Sequence, residues 1–179
     1  MATYKDELTR AMDFLGRQEN MRFVGYNVKY GSKANGTLVN VPTDTLIETP
    51  VAENLVAGLG IGYALRGHPV LTWIERFDFM LNAFDAIINH ADKINQLSEG
   101  EFSPNVIFRT IVGSKKKPLF TGATHVQDFS DQLQTMVDFP VVRLVDPKLV
   151  YLQYERAFSN LSTQSAVMVE YRELYDAVL

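Results

Sequence analysis

Residues 48–74 open with Glu48-Thr49-Pro50-Val51-Ala52-Glu53-Asn54. They continue through an apolar run dotted with Gly58, Gly60 and Gly62 to Gly67, and end in Pro69-Val70-Leu71-Thr72-Trp73-Ile74. The first part predicts a helix capped by Thr49, with Pro50 in its first turn, where a missing N–H costs nothing. That helix is expected to reach about Arg66 and stop at Gly67. The last part is a continuous apolar run, which predicts a strand buried on both faces. A helix feeding such a strand is the repeating unit of a parallel sheet covered by helices. The same stretch sets one carboxylate, Glu53, just inside a helix start.

The alternation extends in both directions. Residues 3–17 read as a helix with Leu8, Ala11, Met12 and Leu15 on one face. Residues 21–25 read as a short buried strand ending at Gly25, and residues 32–36 as a polar loop. A brief apolar segment, residues 38–41, precedes the Glu48 entry. Downstream, Leu81, Phe84, Ile87, Ile88 and Ala91 recur at helical spacing and predict an amphipathic helix over residues 79–94. Strands are expected at 105–112, 141–145 and 166–169, and helices at 126–136 and 149–159. The expected architecture is a three-layer α/β/α fold with a mostly parallel central sheet, formed as one domain by residues 1–179. Ligands on such sheets bind beyond the carboxyl ends of the strands.

Composition narrows the function. The 179 residues carry a net charge of −4, with 46% hydrophobic and 21% charged residues, which is ordinary for a globular domain. Mild acidity argues against a nucleic-acid binder. No cysteine is present, which excludes disulfides, thiolate metal sites and a cysteine nucleophile. His68, His90 and His125 form no metal-ligand pattern, so no metal site is expected on this chain. No apolar run approaches membrane-span length and the N-terminus lacks a signal core, so the expected setting is cytoplasmic. No GxSxG elbow, Walker A or GxGxxG pattern occurs, which disfavours a hydrolase or nucleotide-binding reading.

Singly, the polar residues are ambiguous. An acid in a first helical turn complements the helix dipole and is usually solvated. Glu53 also lies four residues after Thr49, not the three that a capping box needs. His125 reads equally as a structural histidine or an acid–base group. Lys115-Lys116-Lys117 reads as a solvated loop. Phe77 and Phe79 flank Asp78 at period two and suit either a core or an aromatic wall at a strand end. The alternate glycines suit either close packing of helix on sheet or close approach of a partner or cofactor.

Taken in order, the motifs resemble the pyrimidine-binding domain of thiamine diphosphate enzymes, in the transketolase central-region family and the beta subunits of 2-oxo acid dehydrogenases. The matching runs are Glu48 to Asn54, Ala64-Leu65-Arg66-Gly67-His68-Pro69-Val70, Arg76-Phe77-Asp78-Phe79 and Ala83-Phe84-Asp85-Ala86-Ile87-Ile88-Asn89-His90-Ala91-Asp92-Lys93. Further on come Val106-Ile107-Phe108-Arg109-Thr110, Thr124-His125-Val126-Gln127, Val145-Asp146-Pro147 and Val169-Glu170-Tyr171-Arg172-Glu173-Leu174-Tyr175. The resemblance implies the pyrimidine-domain fold. It also implies that Glu53 hydrogen-bonds N1′ of the cofactor's aminopyrimidine, favouring the tautomer that takes the proton from the thiazolium carbon. Phe79 would stack on the pyrimidine ring. Asn82 and Arg76 would line the same cofactor site, and His125 would exchange a proton with substrate.

The chain also departs from the family. Gly25-Tyr26-Asn27 lacks the acid that usually follows the first strand's glycine. Residues 113–120, Gly113-Ser114-Lys115-Lys116-Lys117-Pro118-Leu119-Phe120, replace a glycine-rich loop. No GDG…N pattern for magnesium and pyrophosphate is present, and the pyrophosphate-binding and carboxy-terminal transketolase-type domains are expected to be absent. The resemblance therefore implies a subunit that is not active alone. It would share thiamine diphosphate with a separate chain carrying GDG…N and the Mg2+, in a homo- or hetero-oligomer, and act on a 2-oxo acid or ketose-type carbonyl substrate by cleaving or transferring a C–C bond. The alternative is a non-catalytic assembly or regulatory module that retains the fold. Neither reading involves nucleic acid or membrane.

Overall fold

The computed structural model describes residues 1–116 and 122–179. Its centre is a six-stranded, wholly parallel sheet of β1 (Arg22–Gly25), β2 (Leu46–Glu48), β3 (Val70–Ile74), β4 (Ile107–Val112), β5 (Val141–Arg143) and β6 (Ala166–Tyr171), in the order β2-β1-β3-β4-β6-β5. Successive strand residues face opposite sides, as period-two geometry requires. Phe23, Leu71, Trp73, Ile107, Ile111 and Met168 enter one core, and Val24, Val70, Ile74, Phe108, Val112, Val167 and Val169 enter the other.

The first core is closed by α1 (Tyr4–Gly16) and α7 (Val150–Ser159), which pack against each other. Thr3 caps α1 in a capping box with Asp6, and the face of Leu8, Ala11, Met12 and Leu15 is buried as its spacing predicts. The β1–β2 connection lies on this side too, through Val28, Leu38 and Val41. It holds α2 (Lys33–Gly36), a single turn in which Ala34 and Asn35 adopt left-handed backbone. The second core is closed by α3 (Glu53–Leu65), by the helical turns from α4 (Phe77–Met80) through residues 81–91, and by Leu133 of α6 (Ser130–Gln134). A last short helix, α5 (Ile94–Leu97), follows those turns.

Several expectations are corrected. The helix after Glu48 starts at Glu53, with Ala52 at its N-cap, so Thr49 does not cap it and Pro50 lies outside its first turn. Thr49 N–H instead donates to the Gly25 carbonyl (3.0 Å), extending the β1–β2 ladder past Glu48 and keeping the chain extended up to the proline. The segment expected as one helix over 79–94 is a succession of α (77–80), 3-10 (81–83) and π-helical (86–91) turns. The helix expected over 126–136 is confined to Ser130–Gln134. The apolar segment 38–41 supplies Leu38 and Val41 to the first core from a loop, and the strand before Pro50 is Leu46–Glu48, which the sequence pattern did not single out. Among the alternate glycines, only Gly60 meets a neighbour: a Cβ there would run into Thr72 on β3, while Gly58 and Gly62 face open space.

One polar cluster lies inside the first core. Arg109 on β4 and Glu170 on β6 are both fully buried. Arg109 Nε donates to Glu170 Oε1 at 2.6 Å, and its Nη2 donates to Glu170 Oε2 (3.2 Å) and to Thr37 Oγ1 (2.9 Å). The hydroxyls of Tyr154 and Tyr175 donate to the same carboxylate, each at 2.8 Å, and the guanidinium lies 4.6 Å from the Trp73 ring centre. The cation is matched by its carboxylate, and burial beside that charge holds the Tyr154 and Tyr175 hydroxyls well above their ordinary pKa.

Candidate functional site

At the carboxyl ends of β1 and β3 the chain leaves the sheet in opposite directions. After Gly25 it turns to the α1/α7 side, and after Ile74 it turns to the α3 side. Such a divergence between neighbouring parallel strands opens a crevice at the sheet's edge. Gly25 is required there, because a Cβ would meet the Trp73 carbonyl of β3. Glu48, at the end of β2, ties down the outgoing loop: its carboxylate accepts from the backbone N–H of Asn27 (2.7 Å), Lys29 (2.7 Å) and Tyr30 (3.3 Å).

The five residues singled out from sequence all follow carboxyl ends of strands. Glu53 begins α3, five residues past the end of β2. It is half-buried, and its carboxylate makes no hydrogen bond or ion pair among the described residues. Arg76 precedes α4, with Nη1 donating to the Glu75 carbonyl (2.7 Å) and Nε buried without a hydrogen-bond partner among the described residues. Phe79 is half-buried in α4, and Asn82, in the following turn, is exposed. α3 packs against α4 and against the turn that carries Asn82. His125 is half-buried after β4, and its ring meets that of Phe79 edge to face at 5.2 Å and 84°. Thr124 Oγ1 lies 3.1 Å from His125 Nδ1. The structure thus brings His125 onto Phe79 and sets Glu53 at the neighbouring helix start. Asn82 is turned to the surface beside them.

Other residues, not singled out as site residues, fix this arrangement. A Cβ on Gly113, just past β4, would overlap the His125 carbonyl oxygen, so the chain approaches His125 there as only glycine permits. Gln127 Nε2 donates to Asp78 Oδ1 at 2.7 Å, and Phe77 meets Phe129 edge to face at 5.8 Å. Tyr171, at the end of β6, donates to Asp128 Oδ2 (2.7 Å), and Ser130 donates to Asp128 Oδ1. Burial pushes Asp128 upward, but the hydrogen bonds from Ser130 and Tyr171 outweigh it and hold the carboxyl below its usual range. Glu173 accepts from the backbone N–H of Lys115 (2.8 Å) and Lys116 (3.2 Å), which holds its carboxyl below the usual range as well.

The lysine run begins as an exposed segment at Lys115 and Lys116; Lys117 and residues 118–121 lie outside the described residues. Five surface cavities of about 180–390 Å³ are lined by residues other than Glu53, Phe79 and His125. Glu53, Phe79 and His125 are each half-buried, so the candidate site lies at the surface of the chain.

No family model matches the chain. The mitochondrial pyruvate dehydrogenase E1 component subunit beta of Dictyostelium discoideum is 30% identical over 133 residues, covering 72% of this chain and 36% of that protein. The corresponding Saccharomyces cerevisiae subunit is 30% identical over 134 residues, with the same coverage of each. The chain spans about a third of the length of these relatives. Among solved structures, a split gene transketolase described as an inactive beta4 tetramer superposes with a TM-score of 0.71 at 13% identity, covering 95% of this chain and 51% of that one. A putative thiamin diphosphate-dependent enzyme from Mycobacterium smegmatis superposes with a TM-score of 0.67 at 14% identity, covering 98% of this chain and 32% of that one. By sequence and by fold together, the chain belongs with the transketolase-like thiamine diphosphate enzymes, in the part that corresponds to their pyrimidine-binding domain.

Proposed function

We propose that the chain is the pyrimidine-binding subunit of a multi-chain thiamine diphosphate-dependent enzyme that cleaves or transfers a C–C bond of a 2-oxo acid or ketose-type substrate. The observation that supports this most is the contact of Phe79 with His125 past the carboxyl ends of β3 and β4, with Glu53 beginning α3, the helix that packs against the segment carrying Phe79. The residues present fit the group: a half-buried carboxylate without a partner among the described residues, and a half-buried aromatic ring on the segment that packs against the same helix, suit a flat heterocycle with a basic ring nitrogen. When bound, thiamine diphosphate supplies the carbon nucleophile and the electron sink. Glu53 holds a proton at the aminopyrimidine nitrogen N1′. Phe79 orients the ring, Arg76 and Asn82 border it, and His125, braced on Phe79, moves a proton at the substrate oxygen.

The site residues are only half-buried on this chain, and we propose that a second chain covers them, a pyrophosphate-binding subunit carrying GDG…N and holding Mg2+. The outward face of α3 carries Leu55, Gly58, Gly62 and Leu65, round the helix from Glu53, which begins α3 in line with its buried residues. Leu55 and Leu65 are 43–44% exposed and the glycines face open space, so a partner surface can approach closely. The test is reconstitution with a GDG…N chain encoded beside this one, comparing wild type with Glu53→Gln. Loss of thiamine diphosphate-dependent turnover by about 100-fold or more in the variant supports the assignment. Unchanged turnover refutes it, and a stable complex that needs no thiamine diphosphate favours an assembly module instead.

A further inference from the structure

Three cross-contacts join the segment after β3 to the segment after β4, and they fall in antiparallel order. Phe77 meets Phe129 (5.8 Å, edge to face), Asp78 accepts from Gln127 (2.7 Å), and Phe79 meets His125 (5.2 Å, edge to face). The first pair is anchored in the core, where Phe77 is fully buried. The last pair lies at the crevice. Between them sits a nearly buried carboxylate, 8% exposed, whose second oxygen has no hydrogen bond among the described residues.

We infer that Asp78 and Gln127 are a positioning pair whose hydrogen bond sets His125 against Phe79; the catalytic consequence rests on the proposed roles of those two side chains. Aromatic edge contacts tolerate sliding and rotation, because their energy varies gently with offset. A short hydrogen bond to a carboxylate is directional, and a buried carboxylate deprived of its donor is strongly disfavoured. The Asp78–Gln127 bond therefore fixes the register of the two segments. Gly113 holds the His125 main chain from behind, and Thr124 engages its Nδ1. A displacement of His125 by the width of one bond is enough to spoil a proton transfer that depends on near-contact geometry.

The test exchanges the partners. Gln127→Glu opposes two carboxylates, Gln127→Met removes the donor at similar volume, and Asp78→Asn combined with Gln127→Glu restores the bond with donor and acceptor reversed. The first readout is the ring-current shift of the His125 and Phe79 NMR signals in the full chain, referenced to Phe79→Leu. The second is kcat and KM in the reconstituted complex. Expected results are loss of the ring-current shift in both single Gln127 variants and its return in the double variant. The single variants lower kcat at least about tenfold with little change in KM, and the double variant recovers it. A ring-current shift unchanged in Gln127→Met overturns the inference, as does wild-type kcat in a variant that has lost the shift. His125→Asn separates the two readings. Full turnover in that variant sinks the role proposed for His125, whereas the ring-current comparison judges the pairing on its own.

Discussion

Replacing Arg109 by methionine leaves the Glu170 carboxylate fully buried, held by two tyrosine hydroxyls but facing no cation. Breaking a buried pair from one side costs about 3–5 kcal/mol, because the remaining charge is uncompensated. Thr37 loses only the bond it accepts, since its hydroxyl still donates to the Ala34 carbonyl. At about 2–4 °C per kcal/mol for a domain of this size, the midpoint of thermal unfolding should fall by about 10 °C. Adding Glu170→Gln removes the stranded charge while keeping a carbonyl to accept from the tyrosines, so the double variant should be more stable than Arg109→Met alone. Urea unfolding of the four members of the cycle, with unchanged slope, gives the coupling directly. A loss under about 1 kcal/mol in Arg109→Met, or additive effects in the double variant, would refute the view that this pair joins β4 to β6. The consequence reaches the crevice, because β4 leads to Gly113 and His125 and β6 ends at Tyr171, which holds Asp128.

Other outcomes follow from the same geometry. The Glu173 carboxyl is held below its usual range by the N–H groups of Lys116 and Lys115, so its tie is complete above the ordinary carboxylate range and is released as pH falls through the lowered folded value. The hydrogen-exchange protection of the Lys115 and Lys116 amides, taken relative to their intrinsic rates at each pH, should be high at neutral pH and fall on acidification, and Glu173→Ala should remove it at every pH. Gly60→Val forces a side chain into Thr72 and should cost about 1–3 kcal/mol in urea unfolding. Gly58→Ala meets open space and should stabilise the isolated chain by up to about 1 kcal/mol, while Gly58→Phe should leave the chain folded but abolish assembly with the pyrophosphate-binding subunit. Gly113→Ala should disturb the His125 NMR signals while leaving those of β1 in place.

The central strands were legible because Val70–Ile74, Ile107–Val112 and Ala166–Tyr171 are apolar runs buried on both faces, which leave no periodicity to misread. β2 was not, since its three residues lie at the sheet's edge and owe their pairing to β1. Residues 79–94 have the right apolar spacing for one α-helix, but that spacing also fits shorter helical turns of changing pitch, and packing against α3 and β4 selects those. Thr49-Pro50 carries a helix-start signal that loses to one further backbone hydrogen bond along β1, from Thr49 N–H to the Gly25 carbonyl. Glu53, Phe79 and His125 were singled out through ordered resemblance rather than periodicity. The ties of Gln127 to Asp78 and of Glu173 to the segment after β4 join residues 49 and 58 apart, a separation that no local pattern encodes.

The central claim concerns one carboxylate completing a cofactor site with a second chain, and its most direct test is equilibrium binding. Titration of thiamine diphosphate into the reconstituted complex should show saturable affinity that is absent for this chain alone, and Glu53→Ala should weaken that affinity while leaving assembly and the unfolding midpoint in place. Equal affinity for the wild-type and Glu53→Ala complexes would contradict the account.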